Sequence, residues 1–440
     1  MGRRDSVLFF LCLGLAVPAG AGNDPQQVLE RARTKLQAMT HTLANYACIE
    51  TVERRYFEPA AATPRVQAAP ASCSQVRVDP DSTPAALKLE ATDRLRLEVT
   101  VSEGREIYSW PGATRFDSRD VDEIIHEGPI GTGSFGTHLL GIFDNPGAEF
   151  HFTAERTSGG QTLLEYRFHV PLQASHYRVK VGTAWQPIAY DGSFWIDPDS
   201  LQLRRLTVRA EDVPPATSMC QLDAELDYRS VHIGDGDALL PSQGQLRIVL
   251  DNARQTNNIT TFADCREYQA ESALLFEDGA PAKSTVVRPP MKIVAMPLGL
   301  PLTLALSAPI DTDTAAAGDL VAAKVVKAVR RPGSNETLIP AGATVRGRIT
   351  RLERHLLPSP YFLIALSFNR LAIGDFASPF AARSEGNVEL ARELGATLVG
   401  QGRGLAFWDV GTFLFPTNRS RYVVPAGYES KWITLAIRGR

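Results

Sequence analysis

The sequence predicts a mainly β (α+β) chain: a curved antiparallel sheet or half-barrel with an N-terminal helix, then a second, small β-barrel domain. Three observations carry this. Apolar and polar side chains alternate through most of the chain, as in Leu164, Tyr166, Phe168 and Val170 against Glu165, Arg167 and His169, the pattern of strands buried on one face. Turn dipeptides such as Pro111-Gly112, Gly159-Gly160 and Asp191-Gly192 punctuate the runs, as hairpins require. Near the start, Asp24 to Thr42 has helical periodicity instead. At 440 residues two domains are expected. We place a leader at 1–21, the sheet with its helices at 22–278, a linker at 279–297 and the small barrel at 298–440.

Residues 1–21 read as a secretory leader. Arg3 and Arg4 give a positive start, Val7 to Val17 an apolar run, and Ala19-Gly20-Ala21 a small-x-small cleavage pattern. The run is shorter than the roughly 20 residues that span a bilayer. Cys12 follows Phe10-Leu11 where a lipid-modification site needs a small residue. The expected location is periplasmic or extracellular, with at most peripheral membrane association.

Four cysteines remain beyond Cys12: Cys48, Cys73, Cys220 and Cys265. An even number in an exported chain suggests disulfides, with three possible connectivities. Nearness in sequence favours Cys48–Cys73 and Cys220–Cys265. No metal site and no cofactor are expected, because no C-x-x-C occurs and no histidine stands at ligand spacing from these cysteines. The net charge of −3, from 46 Lys+Arg against 49 Asp+Glu, comes without a dense basic block, which argues against a nucleic-acid partner.

The helix at 24–42 begins with Asp24 placed as cap and Pro25 at the first helical position. Val28, Ala32, Leu36 and Met39 recur along one face. The segment 46–58, YACIETVERRYFE, alternates as a strand, and a Pro/Ala-rich loop follows at 59–71. Further strands are expected at 95–101, 106–110, 149–155, 163–170, 176–181, 192–197, 201–210, 220–233, 244–252 and 258–277. After the linker with Pro289-Pro290, strands resume at 300–310, 318–329, 343–354 and 361–373. Residues 385–406 suggest a short helix and 407–435 return to strand. One turn recurs, in Met296-Pro-Leu-Gly299, Ile339-Pro-Ala-Gly342 and Val424-Pro-Ala-Gly427. It reads as type I, proline second and glycine fourth.

Residues 128–138, GPIGTGSFGTH, contain the G-x-G-x-x-G of phosphate loops. Their context denies that reading. Only Ile124-Ile125 are apolar in the lead-in, a proline intervenes, and the surroundings are antiparallel in style instead of α/β. The segment predicts a glycine turn feeding a short helix capped by Thr132 or Ser134, with Phe135, Leu139 and Phe143 facing the sheet.

No catalytic residue is assigned. Ser134 stands one residue after a glycine, not two as in a nucleophile elbow. His126 and His138 bracket it, so a secreted hydrolase with a site in the N-terminal domain is the alternative reading. The run DSRDVDE (117–123) lacks the glycine and distal glutamate of a calcium loop and reads as a solvated acidic turn. A one-sided sheet has to cover its apolar face. Phe150, Phe152, Tyr166 and Phe168 are the candidate ligand-binding residues, and Phe194 and Trp195 could line the same groove.

The opening helix running into LANYACIETVERRY, the EIYSW strand and the hairpin FWIDPDSLQLRRLTV together resemble envelope carriers of the LolA/RseB type, over residues 25–278. The resemblance implies an incomplete antiparallel barrel around helices, with a concavity suited to acyl chains or a lipoprotein partner. The Pro/Ala loop, the cysteines and the longer late hairpins depart from it, so its cargo does not carry over. APIDTDTAAAGDLVAAKV with LIPAGATVRGRI resembles periplasmic β-barrel segments of conjugation-type secretion proteins, which implies a docking module. The expected function is an exported cell-envelope binding or interaction protein without catalysis. It would hold an apolar or lipidated ligand, or an envelope protein partner, on a concave sheet.

Overall fold

The computed structural model describes residues 24–60, 72–78, 86–113, 116, 120–125, 128–158, 160–233, 236–268, 296–357, 359–384 and 411–436. The leader at 1–21, most of the Pro/Ala loop, the linker up to 295 and the helix expected at 385–406 lie outside the described residues.

Helix α1 (Pro25–Thr42) forms as its sequence predicts: the Asp24 carboxylate accepts the Gln26 amide, and Pro25 opens the first turn. Val28, Leu29, Ala32 and Leu36 are buried along one side. The strands of the first half are β1 (Tyr46–Pro59), β2 (Leu87–Ser102), β3 (Arg105–Ser109), β4 (Glu149–Ser158), β5 (Gln161–Val170), β6 (Arg178–Val181), β7 (Ala184–Pro187), β8 (Tyr190–Asp197), β9 (Gln202–Ala210), β10 (Met219–Ile233), β11 (Gly236–Leu250) and β12 (Gln255–Glu267). Short helices intervene: α2 (Cys73–Val76), α3 (Val121–Ile124) and α4 (Thr137–Phe143). The sheet runs β3-β2-β1-β12-β11-β10-β9-β8-β5-β4, every neighbouring pair antiparallel. β6 and β7 form a separate hairpin.

This is the curved, one-sided sheet that alternation implied. Its inner face carries Leu97, Val99, Tyr166, Phe194, Leu206 and Leu226, and α1 and α4 lie within the same apolar cluster. Each large side chain so buried contributes about 1.5–3 kcal/mol, which is what holds the helices against the sheet. The dipeptide Asp191-Gly192 is not a turn but part of β8. A Cβ on Gly192 would run into the Thr207 carbonyl and the Phe168 ring at once. Close approach of two strands, and not a bend, explains that glycine.

The second half comprises β13 (Pro301–Leu306), β14 (Ile310–Asp311), β15 (Leu320–Val325), β16 (Val329–Arg330), β17 (Thr337–Ile339), β18 (Thr344–His355), β19 (Tyr361–Ile373), β20 (Phe376–Pro379), β21 (Ala382–Ser384), β22 (Thr412–Pro416), β23 (Val423–Val424) and β24 (Glu429–Thr434). They roll around a second apolar cluster that includes Trp432, Phe368, Phe413 and Val345. Among the described residues the roll is not a closed barrel; β18 joins it to β2 in one 18-stranded sheet. At the junction the buried Arg54 guanidinium is paired with Asp93, and Arg94 donates to the carbonyls of Thr312, Asp313 and Ala315. Two of the recurrent proline turns differ from expectation. Ala343 and Tyr428 donate to the carbonyls of Pro340 and Pro425, so proline is first and glycine third. Gly342 and Gly427 then take φ of 82° and 81°, the type II geometry.

The disulfides also correct the sequence reading: Cys48 bonds Cys265 and Cys73 bonds Cys220. β1 lies between β2 and β12, so Cys48 faces a cysteine 217 residues away. Cys73 sits on α2, which Arg77 and Val78 moor to β10 through Cys220 and Gln221. Sheet order, which spacing does not encode, decides the pairing.

Candidate functional site

Two features of the first half are built for contact. The first is an aromatic layer under β4 and β5. Tyr166 and Phe168 are buried, and Tyr166 stacks on Phe194 with ring centroids 5.2 Å apart. Phe150 stacks on Phe143 of α4 at 6.1 Å and carries the Arg33 guanidinium 4.8 Å above its ring. Phe152 is 45% exposed and meets the edge of Tyr166 at 5.7 Å. The four candidates therefore divide: Tyr166 and Phe168 form a rigid floor, Phe150 is half-buried, and Phe152 meets solvent. Trp195 turns to the opposite face, as period 2 dictates. Among the described residues β4 pairs only with β5, leaving the Phe152 strand as an open edge.

The second feature starts from the glycine loop. The Glu106 carboxylate of β3 accepts the backbone amides of Gly133 at 2.6 Å, Phe135 at 2.8 Å, Gly136 at 2.8 Å and Thr137 at 3.3 Å. Tyr108 donates its hydroxyl to the same carboxylate at 2.7 Å. Thus α4 is capped by a glutamate distant in sequence, and neither Thr132 nor Ser134 caps it. The nest of amides that resembles a phosphate loop is filled by the protein's own anion. Phe135, Leu139 and Phe143 are buried against the sheet as predicted.

Beside α4 the loop leaves a cleft of about 160 Å³. Tyr108, Tyr177, Tyr190 and Trp185 are among its walls, His138 and Thr137 reach it from α4, and Arg105, His176 and Arg178 contribute to its lining. The β6–β7 hairpin closes one side. Trp185 donates its indole N–H to Asp120 at 3.0 Å, and Lys180 pairs with Asp122. The acidic run read as a solvated turn thus supplies two anchors, and β7, which alternation did not reveal, supplies Trp185.

His138 is 4% exposed. Burial pushes its imidazole down to about 4, against the opposing pull of the Glu106 charge, so it is neutral near pH 7. Its ring meets Tyr177 edge-on at 5.1 Å, and a Cβ on Gly133 would lie 2.7 Å from its Nε2, so only glycine fits there. On β1 Glu50 is 2% exposed; burial first, and Glu106 second, hold its carboxyl well above the usual range. Burial likewise pushes Tyr177 up to about 12. Among the described residues no hydrogen bond joins Ser134 to His138, and His126 lies outside them. No group of three or more His, Cys, Asp or Glu able to hold a metal ion occurs among the described residues.

No family model matches the chain, and no curated protein does. Solved structures do. A LolA superfamily protein from Nitrosomonas europaea is 9% identical, with 56% of this chain and 94% of that chain covered at a TM-score of 0.26. A putative outer membrane lipoprotein-sorting protein domain from Vibrio parahaemolyticus is 11% identical, covering 58% and 96%, also at 0.26. A DUF1329 family protein from Desulfovibrio piger is 9% identical, covering 56% and 93%, again at 0.26. The fold itself stands on the strand pairing described above.

Proposed function

We propose that this chain is an exported cell-envelope binding protein that works without covalent chemistry and holds an apolar or lipidated ligand, or an envelope partner presenting one. The observation that supports this reading is Phe152, exposed on an open edge strand above a floor of Tyr166, Phe168 and Phe194. An aromatic side chain kept in water on a rigid apolar base gains its burial energy only when something covers it. Among the described residues α1 and α4 pack into the same apolar cluster as the inner face of the sheet, which favours the exposed edge over the interior as the place for a long chain. The ligand therefore lies along the β4 edge, with Phe150 and Phe152 in contact and Tyr166 and Phe168 supporting them. Two disulfides fit an oxidising compartment such as the periplasm.

Native mass spectrometry of the purified protein tests this directly. Co-purified lipid, and binding of a fluorescent fatty acid that Phe152→Asp abolishes, are the expected results. Failure of both would defeat the reading. Ester hydrolysis lost in Ser134→Ala would replace it with the hydrolase alternative.

A further inference from the structure

We propose that the cleft over His138 is a separate binding site for a six-membered, hydroxylated ring carrying a carboxylate, a hexuronic acid. This goes beyond the envelope-binding reading and does not depend on it, because the cleft and the Phe152 edge share no residues.

Size comes first. A cleft of about 160 Å³, close to the roughly 150 Å³ that accommodates one benzene ring, encloses a single ring and not an extended chain, and leaves the ring's carboxylate to reach out towards the exposed Arg105 and Arg178. Polarity comes second. His138 is 4% exposed and neutral, and among the described residues its ring nitrogens have no protein hydrogen-bond partner while keeping contact with the solvent of the cleft. The buried Thr137 hydroxyl has none either, and the Tyr177 hydroxyl, without a protein partner among the described residues, meets the solvent of the cleft. Buried polar groups are nearly always satisfied, and an apolar guest sealing this cleft would leave these groups stranded at a cost. A neutral imidazole offers one donor and one acceptor, and each hydroxyl offers both. Hydroxyls on a ring answer both roles at once, while the aromatic walls cover the ring's apolar faces.

Charge comes third. The anions around the cleft are already engaged: Glu106 by the loop amides and Tyr108, Asp120 by Trp185, Asp122 by Lys180. Arg105 and Arg178, both exposed, line the same cleft and have no ion pair among the described residues. Their planar forks suit a carboxylate. A neutral sugar leaves them unused, and a cationic one is repelled.

The Trp185 indole N–H, hydrogen-bonded to Asp120 at the edge of the cleft, reports occupancy by NMR on the full mature chain. Sodium glucuronate is expected to shift that resonance saturably, and glucose to bind about tenfold more weakly for want of the carboxylate. Thr137→Val and His138→Phe each weaken glucuronate by about tenfold, and Arg178→Met, at the surface and neutral for folding, does likewise. Absence of a saturable shift with glucuronate overturns the proposal. So does binding that survives Arg178→Met and Thr137→Val unchanged, or hexanoate competing as well as glucuronate. Glucuronate binding with neither co-purified lipid nor fatty-acid binding upholds this site and defeats the carrier reading; lipid or fatty-acid binding without glucuronate does the reverse.

Discussion

The carboxylate of Glu106 lies 2.6 Å from the amide nitrogen of Gly133, and that contact sets the geometry of the whole loop. Three more amides and a tyrosine hydroxyl converge on the same two oxygens. Replacing this acceptor by a group that also donates leaves amides unmatched. Glu106→Gln is therefore expected to cost about 3 kcal/mol, close to the cost of Glu106→Ala, as read by urea melts. A Gln variant as stable as wild type would show that the loop holds itself.

His138 and Glu50 give opposite pH dependences. The His138 imidazole is down at about 4 in the folded chain against an ordinary 6.5. Between those values the unfolded chain binds more protons, so stability falls as pH drops from 6.5 towards 4. The full loss attributable to this group is about 3 kcal/mol. His138→Phe should flatten that acid limb in melts taken from pH 7 to pH 4.

Glu50 works the other way. Its raised carboxyl stays protonated in the fold where the unfolded chain has released the proton, so it erodes stability as pH rises above 4.5. Glu50→Gln, uncharged and of the same shape, should be the more stable protein at pH 8 and gain little at pH 4. An equal effect at both values would rule out the buried acid as the cause.

Peptide mapping without reduction should return Cys48 linked to Cys265 and Cys73 linked to Cys220. The first closes 217 residues, so replacing both its cysteines by serine is expected to cost about 3–5 kcal/mol by loop-closure entropy. Mapping that pairs Cys48 with Cys73 would contradict the sheet order itself.

The β6–β7 hairpin is tied to α3 by Lys180–Asp122 and Trp185–Asp120. Such exposed contacts hold local position more than global stability. In Lys180→Ala with Trp185→Phe, hydrogen exchange should quicken over residues 178–187 while the melting temperature stays within error. Val179 of β6 already packs in the core cluster, so a large drop in melting temperature would mean that these two surface contacts hold it there.

Much of this was present in the residue order. The helix cap at Asp24, the stripe of Val28, Ala32 and Leu36, and the alternation in β5 and β10 are local patterns, and local patterns fix helix, strand and inward face. They also gave the buried stripe of Phe135, just ahead of α4, with Leu139 and Phe143 on it, because the three follow the period of a helix. What only the tertiary structure decided are the meetings of distant segments. β1 lies between β2 and β12, which pairs Cys48 with Cys265. β3 brings Glu106 under the glycine loop, and a hairpin beyond β5 brings Trp185 to Asp120. The physical reason is that a strand's partner is chosen by the burial of a whole sheet face and not by its own residues, so the cleft and its unmatched His138 exist only once the sheet has closed over α4.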